Sequence, residues 1–100
     1  MTTNTEQSTN APRFALGQLV STPGALAAFA NAGQTPMEFL RRHIAGDWGQ
    51  VCAADAAENE LSVKEGFRIL SAYTLNSGTK IWIMTEADRA STCVLLPDEY

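Results

Sequence analysis

FRILSAYTL (67–75), TKIWIMT (79–85) and STCVLL (91–96) are the three short apolar runs that decide the fold of this 100-residue chain. Turn-forming sequences separate them: NSG at 76–78, whose glycine can take a left-handed conformation, and the polar EADRA at 86–90. Apolar runs of this length between turns are typical of β-strands. We therefore predict an antiparallel three-stranded meander that ends before Pro97, because proline has no N–H to donate.

The middle run alternates between two sets of side chains, which predicts a strand with two different faces. Ile81 and Ile83 point one way, and Trp82 and Met84 point the other. If the isoleucines face the helices, Trp82 and Met84 lie on the opposite face of the sheet. That face is then either an exposed surface for a protein partner or a small second core covered by residues 14–20.

Two Thr-Pro pairs mark the starts of helices, because threonine is a good N-cap and proline suits the first helical position. The first helix follows Thr22 and ends near Gly33. The second follows Thr35, with Glu38 placed to complete a capping box. On the second helix we expect one face of Met37, Leu40, Arg41 and Ile44, and an adjoining face of Phe39 and His43.

An acidic stretch predicts a third helix, from Asp55 to about Glu65, with Gly66 after its end. Glu58 is the expected capping-box partner of Asp55, and it is also a candidate contact for a protein partner. The apolar face of this helix is thin, so we expect it to be the most exposed of the three. That face consists of Ala57, Leu61 and Val63.

Length and composition indicate one α+β domain of three helices followed by the meander. The chain is 45% hydrophobic, which is enough for a core without disulfides. We assign the domain to residues 13–100. The polar residues 1–12 are expected to form a disordered arm. Residues 14–20 are expected to add one short strand or an extended segment against the meander.

The charge balance favours a protein partner over a nucleic acid. The net charge is −4, and the seven basic residues are scattered, whereas phosphate contacts need clustered Lys and Arg. Cys52 and Cys93 lie outside metal-binding spacings, so we expect reduced thiols, with Cys93 buried in a strand. The first ten residues lack an apolar signal region, which predicts a cytoplasmic protein. No motif indicates a cofactor or a metal ion.

Four polar residues are candidates for a catalytic site. His43 is the only histidine, and Glu86, Arg89 and Thr92 lie close together in sequence. If they converge, they supply an acid, a carboxylate base, an anion clamp and a hydroxyl donor, a mixture suited to RNA cleavage. The alternative is structural: His43 bonds a carbonyl at its helix end, Asp88 caps the turn, and Arg89 pairs with Glu86 or Asp88.

Trp48 lies between Gly46 and Gly49 in a short loop after the second helix. A tryptophan in this setting either stacks against a ligand or partner, or anchors the loop over the core. In both cases the glycines give the backbone the freedom that a tight loop needs.

Several segments together resemble a family of small bacterial proteins labelled plasmid-related, which has no established activity. The resemblance covers about residues 14–100, and it implies a bacterial cytoplasm and a mobile genetic element. The segments that carry it are Gly17–Leu26, Arg42–Gly49, Leu70–Leu75, Ile81–Arg89 and Leu95–Pro97.

From the residues and this resemblance we predict a small accessory protein of a mobile element that acts by binding a protein partner. Its contact surface is either the acidic third helix or the face of Trp82. The alternative is a small ribonuclease of the toxin type that uses His43, Glu86, Arg89 and Thr92.

Overall fold

A computed structural model describes residues 11–100 of the chain, so most of the predicted arm, residues 1–12, lies outside the described residues. Within them the chain forms three helices and four strands, confirming the α+β class. In chain order these are β1 (Gln18–Ser21), α1 (Pro23–Ala32), α2 (Pro36–Ile44), α3 (Ala53–Glu65), β2 (Ile69–Thr74), β3 (Lys80–Thr85) and β4 (Ser91–Leu95), followed by a short 3-10 turn, Pro97–Glu99.

The four strands form one mixed sheet in the order β1-β4-β3-β2. The antiparallel meander of β2, β3 and β4 is confirmed. The predicted N-terminal strand is also present, and it pairs in parallel with β4, so the sheet is not purely antiparallel. Because residues 18–21 extend the sheet at its edge, they do not cover the face of Trp82.

The two Thr-Pro helices begin where the sequence predicts, but only one threonine caps with its side chain. The Thr22 hydroxyl accepts the Ala25 N–H at 3.1 Å, whereas Thr35 makes no such bond. The predicted capping box at Thr35 is therefore wrong. Its carboxylate, Glu38, instead accepts a hydrogen bond from the Gln34 side chain.

Helix α2 packs through a different face from the one expected. Phe39, Leu40 and His43 are buried, and Met37 is 49% exposed. The aromatic rings decide the orientation of the helix: Phe39 lies 5.9 Å from Phe29 and 5.2 Å from Tyr73, measured between centroids. These contacts join α1, α2 and β2 into one core against the sheet.

Helix α3 begins at Ala53, two residues before the predicted start, with Cys52 at its N-cap and no side-chain cap. Gly66 ends it in the left-handed conformation, as predicted. Its buried residues are Asn59 and Ser62, while Leu61 is 45% exposed. The expected apolar face is therefore not the docking face, because this helix binds the sheet through polar groups.

The outer edge of β2 is covered by these polar groups and by the loop of Trp48. The Asn59 amide donates to the Leu70 carbonyl at 2.8 Å and accepts the Leu70 N–H at 3.2 Å. Further along, Ala72 is bonded to the carbonyl of Trp48 and the N–H of Gln50. An amide side chain and a short loop thus take the place of a fifth strand.

Candidate functional site

His43, the only histidine, is fully buried between α2 and the sheet. Its Nδ1 lies 2.6 Å from the Ser71 hydroxyl, and its Nε2 lies 2.9 Å from the Thr85 hydroxyl. Thr85 is 2.7 Å from the Thr92 hydroxyl, which donates to the Leu16 carbonyl at 2.8 Å. These groups form one continuous hydrogen-bonded chain across three strands.

The donors in this chain can be assigned, because each hydroxyl has only one proton. Thr92 gives its proton to the Leu16 carbonyl, so Thr85 donates to Thr92 and must accept from His43. The imidazole is therefore protonated on Nε2, and its Nδ1 accepts from Ser71. The whole chain is satisfied with a neutral histidine.

Burial also keeps the imidazole neutral, since desolvation lowers the pKa of His43 to about 4. Aromatic rings close the site: Phe14 lies 5.2 Å from the imidazole centroid and Trp48 lies 6.0 Å from it. An imidazole that is neutral, enclosed and hydrogen-bonded at both nitrogens is suited to holding α2 against the sheet. It is not placed to exchange a proton with a substrate.

Arg89 is engaged by main-chain carbonyls rather than by a carboxylate. Its guanidinium donates to the carbonyls of Phe67 at 2.7 Å and Ser62 at 2.8 Å, and also bonds carbonyls in its own turn. Within residues 11–100, Arg89 therefore does not form the predicted ion pair with Glu86 or Asp88. Arg89 has a φ of +60°, and the turn that holds it is capped by Asp88, as predicted.

The four predicted catalytic residues do not line one cleft. His43 and Thr92 are buried in the same chain, joined through Thr85. Glu86 lies at the surface, 3.4 Å from Arg68, and Arg89 bonds the end of α3. The catalytic role of these residues stays a prediction that the geometry does not support.

Trp48 anchors its loop, the second of the two alternatives predicted. It is 6% exposed, and its indole N–H donates to the Glu60 carboxylate at 3.1 Å. The ring stacks on Phe14 at 6.2 Å, and Glu60 also binds Arg13 at 2.7 Å. We leave Trp48 out of any contact surface for a partner, because its ring is enclosed by the chain itself.

The open face of the sheet carries Trp82 and Met84, as the alternation of β3 predicts. Both side chains are half-buried. The strand registers place four apolar residues in one row across the whole sheet. That row, hereafter the Met84 row, consists of Leu70, Met84, Cys93 and Val20.

The end of the chain covers only one side of this face. Tyr100 packs edge-on against Trp82 at 5.6 Å, and its hydroxyl accepts from Arg68 at 3.1 Å. Leu95, next to Trp82 in the sheet, is buried, whereas Val20, at the far end of the Met84 row, is 42% exposed. Cys93 was expected to be buried, but it is half-buried because it points to this face.

A groove runs beside the open face, between α3 and β2. It consists of two adjoining depressions of about 250 and 230 Å³ that share Val51, Asp55 and Leu70. Glu58 lines one end of the groove, and Trp82 lines the other. The groove therefore connects the predicted partner-binding residue of α3 to the apolar face of the sheet.

Sequence reasoning found the open face but missed the groove and the buried chain. The signal for the chain was present in the strands: Ser71, Thr85 and Thr92 occupy inward positions that apolar residues otherwise fill. Three inward hydroxyls and one histidine on a helix indicate a shared polar network. Cys52 and Cys93 are both free thiols, as expected.

Metal sites and membrane-spanning helices are two further features that the described residues bear on. Residues 11–100 contain no group of three or more His, Cys, Asp or Glu side chains placed to hold a metal ion. None of the helices in this range is long and apolar enough to cross a membrane.

Comparison of the chain with family models, with curated proteins and with solved structures gives no match. The resemblance to the plasmid-related family therefore stays a prediction from the sequence. The geometry described above is the basis for assigning a function.

Proposed function

We propose that this chain is a small protein-binding module that contacts its partner through the open face of the sheet and the adjoining groove. The observation that carries the proposal is the Met84 row. It is apolar across all four strands, with Leu70, Met84 and Cys93 half-buried and Val20 42% exposed, while Tyr100 packs on the neighbouring Trp82. Exposed apolar rows rimmed by polar groups are characteristic of contact surfaces.

The residues that line the groove indicate which side chains a partner would place there. Asp55 and Glu58 are exposed on the α3 wall and make no ion pair within residues 11–100. Val51 and Leu70 provide apolar surface between the two depressions. Arg68 lines one depression and Lys80 the other, so the groove carries both charges. A partner with an apolar side chain for the Met84 row and polar or charged groups for the groove matches these features.

The setting of this function rests on the sequence alone. The bacterial cytoplasm and the mobile element are implied by the resemblance, and we retain them as part of the proposal. The acidic composition continues to favour a protein over a nucleic acid as partner.

The test compares a variant on the open face with a control variant away from it. Met84→Glu places a charge in the middle of the Met84 row, and Glu65→Lys changes the charge at the far end of α3 as a control. A partner captured from cells is purified, and its affinity for the wild type and both variants is measured by calorimetry. We expect Met84→Glu to weaken binding at least about tenfold, the effect of roughly 1.4 kcal/mol, and Glu65→Lys to leave it unchanged.

Two results would contradict the proposal. One is a partner that binds Met84→Glu as tightly as the wild type. The other is cleavage of RNA by the purified wild type that is lost in a folded Arg89→Gln variant, which would restore the ribonuclease alternative.

A further inference from the structure

The 24 residues from Phe14 to Met37 contain no Asp, Glu, Lys or Arg, although charged residues make up 18% of the chain. This stretch supplies β1 and α1, at one edge of the sheet. Several of its large apolar side chains are about half exposed: Leu19 is 47% exposed, Val20 is 42% and Leu26 is 52%. This stretch therefore contributes no charge of its own to the edge, where the Glu99 carboxylate accepts a hydrogen bond from the Thr22 hydroxyl just after β1.

Strand β1 uses only one of its two sides for pairing. The N–H groups of Gln18 and Thr22 donate toward β4, at 2.9 and 3.0 Å. Backbone groups alternate in direction along a strand, so those of Leu19 and Ser21 point away from β4. Within residues 11–100, no backbone group bonds to these outward N–H and C=O groups.

At the opposite edge of the sheet, the backbone groups of β2 have hydrogen-bond partners. There the loop of Trp48 and the Asn59 amide occupy the backbone groups of β2. Native edges that stay open are usually protected by a lysine, a proline or a bulge. Strand β1 reads Gln-Leu-Val-Ser and has no lysine, proline or bulge, so its short length of four residues is its main protection.

We propose that β1 is a self-association edge, on which a second copy of this chain places its own β1 in antiparallel pairing. Leu19 then pairs with Ser21 of the partner subunit, and the equivalent pair forms across the twofold axis, giving four main-chain hydrogen bonds. Val20 faces its equivalent at the axis, an apolar pair suited to this position. The dimer contains one continuous eight-stranded sheet with both open faces on the same side.

Charge and composition favour a second copy over other occupants. Two chains of charge −4 repel each other, and they meet at the least cost along a strand that carries no charged side chain of its own, with Glu99 at its end. Residues 1–10 contain a single apolar side chain, Met1, so they have little with which to cover Leu19 and Val20. Because a four-residue strand buries a small area, we expect a weak, concentration-dependent dimer.

Sedimentation equilibrium of the full chain tests this proposal. The wild type is expected to shift from monomer to dimer with concentration, and more readily in high salt, because salt screens the repulsion between the two copies. Val20→Lys places two ammonium groups together at the axis and should give a monomer. Met37→Lys adds the same charge at a residue that is 49% exposed and outside β1, and it should behave as the wild type does.

Amide hydrogen exchange provides a second measurement on the unmodified chain. The amides of Leu19 and Ser21 should gain protection as the protein concentration rises. A wild type that stays monomeric at every concentration would overturn the proposal, as would a dimer that Val20→Lys retains. Protection that does not depend on concentration and disappears when residues 1–10 are removed would identify the arm as the occupant instead. Both measurements use the chain without a partner, and protection at Leu19 and Ser21 distinguishes pairing at β1 from contact through the Met84 row, which also contains Val20.

Discussion

The imidazole of His43 is held by hydroxyl groups from two strands, Ser71 in β2 and Thr85 in β3. Protonation would turn Nδ1 from an acceptor into a donor, so Ser71 would lose its acceptor. It would also place a positive charge in a site that has no carboxylate in its hydrogen-bonded chain. Both effects favour the neutral ring, and desolvation by burial lowers the pKa of His43 to about 4.

This pKa makes the free energy of unfolding depend on pH. Unfolding returns the pKa of His43 from about 4 to about 6.5, so the unfolded state binds the proton more readily. The stabilisation is therefore complete above pH 6.5 and is lost as the pH falls toward 4. We expect urea unfolding at pH 5 to give a free energy about 2 kcal/mol lower than at pH 7.

This loss of unfolding free energy can be assigned to His43, because the chain has one histidine. The pKa values of Asp47 and Glu60 are lowered by Arg42 and Arg13 from ordinary values of 3.8 and 4.5, so their contributions are retained between pH 7 and pH 5 and are lost at lower pH. An NMR titration of the imidazole protons in the folded protein gives the direct check. A midpoint near 6.5 would show that the ring is accessible to solvent.

Gly49 is a second residue whose role is set by its surroundings. Its φ is +75°, and an added Cβ would lie 2.0 Å from the Ala72 carbonyl oxygen. Gly33 has a similar φ of +69°, but nothing lies within 4 Å of an added Cβ. We expect Gly33→Ala to cost about 1 kcal/mol from backbone strain, and Gly49→Ala to cost at least about 3 kcal/mol. Equal losses in thermal or urea unfolding would mean that the Trp48 loop does not approach β2 this closely.

The elements of this fold differ in how far local sequence determines them. The meander was predictable because alternation and turn residues act over a few positions, and NSG at 76–78 does form the hairpin, with Gly78 at a φ of +91°. The parallel pairing of β1 with β4 was not, because its partners lie more than 70 residues away. A pattern within residues 14–20 cannot specify which edge that strand joins.

Helix α3 shows the same limit. Its start was misplaced because Asp55 looked like an N-cap, whereas the helix begins earlier without a side-chain cap. Its docking was missed because the Asn59 side chain bonds the backbone of Leu70, while the Ser62 carbonyl accepts from the Arg89 guanidinium. Contacts of this kind leave no hydrophobic period to detect. None of the apolar residues of α3 is buried, but Leu61, at 45% exposed, is no more exposed than Leu26 of α1 or Met37 of α2.

The Asn59 side-chain amide joins α3 to the edge of β2. Asn59→Ala leaves the Leu70 N–H and carbonyl without their partner at a buried edge, at a cost of about 2–4 kcal/mol. Glu58→Ala, at the next position but exposed, should change stability by less than about 0.5 kcal/mol. Urea unfolding of both variants checks this. A loss below about 1 kcal/mol for Asn59→Ala would mean that water replaces the amide at no cost.

Across the whole molecule, one face of the sheet holds the core and the other is available for contact. Period-two alternation placed Trp82 and Met84 on that second face from sequence alone. The groove beside it could not be predicted, since it depends on where α3 docks on β2. The catalytic hypothesis also depended on long-range contacts: the partners of His43 lie 28 and 42 residues away in sequence.

The two tryptophans allow one measurement that tests the central claim, that the open face is the contact surface. Each indole N–H gives its own signal in a ¹H–¹⁵N spectrum, and the isolated partner is titrated into the labelled chain. Trp82 lies on the open face, whereas Trp48 is buried with its N–H on Glu60. We predict that the Trp82 indole signal shifts with the partner concentration and the Trp48 signal does not. A shift of Trp48 alone, or of neither indole with saturated binding, would contradict the account.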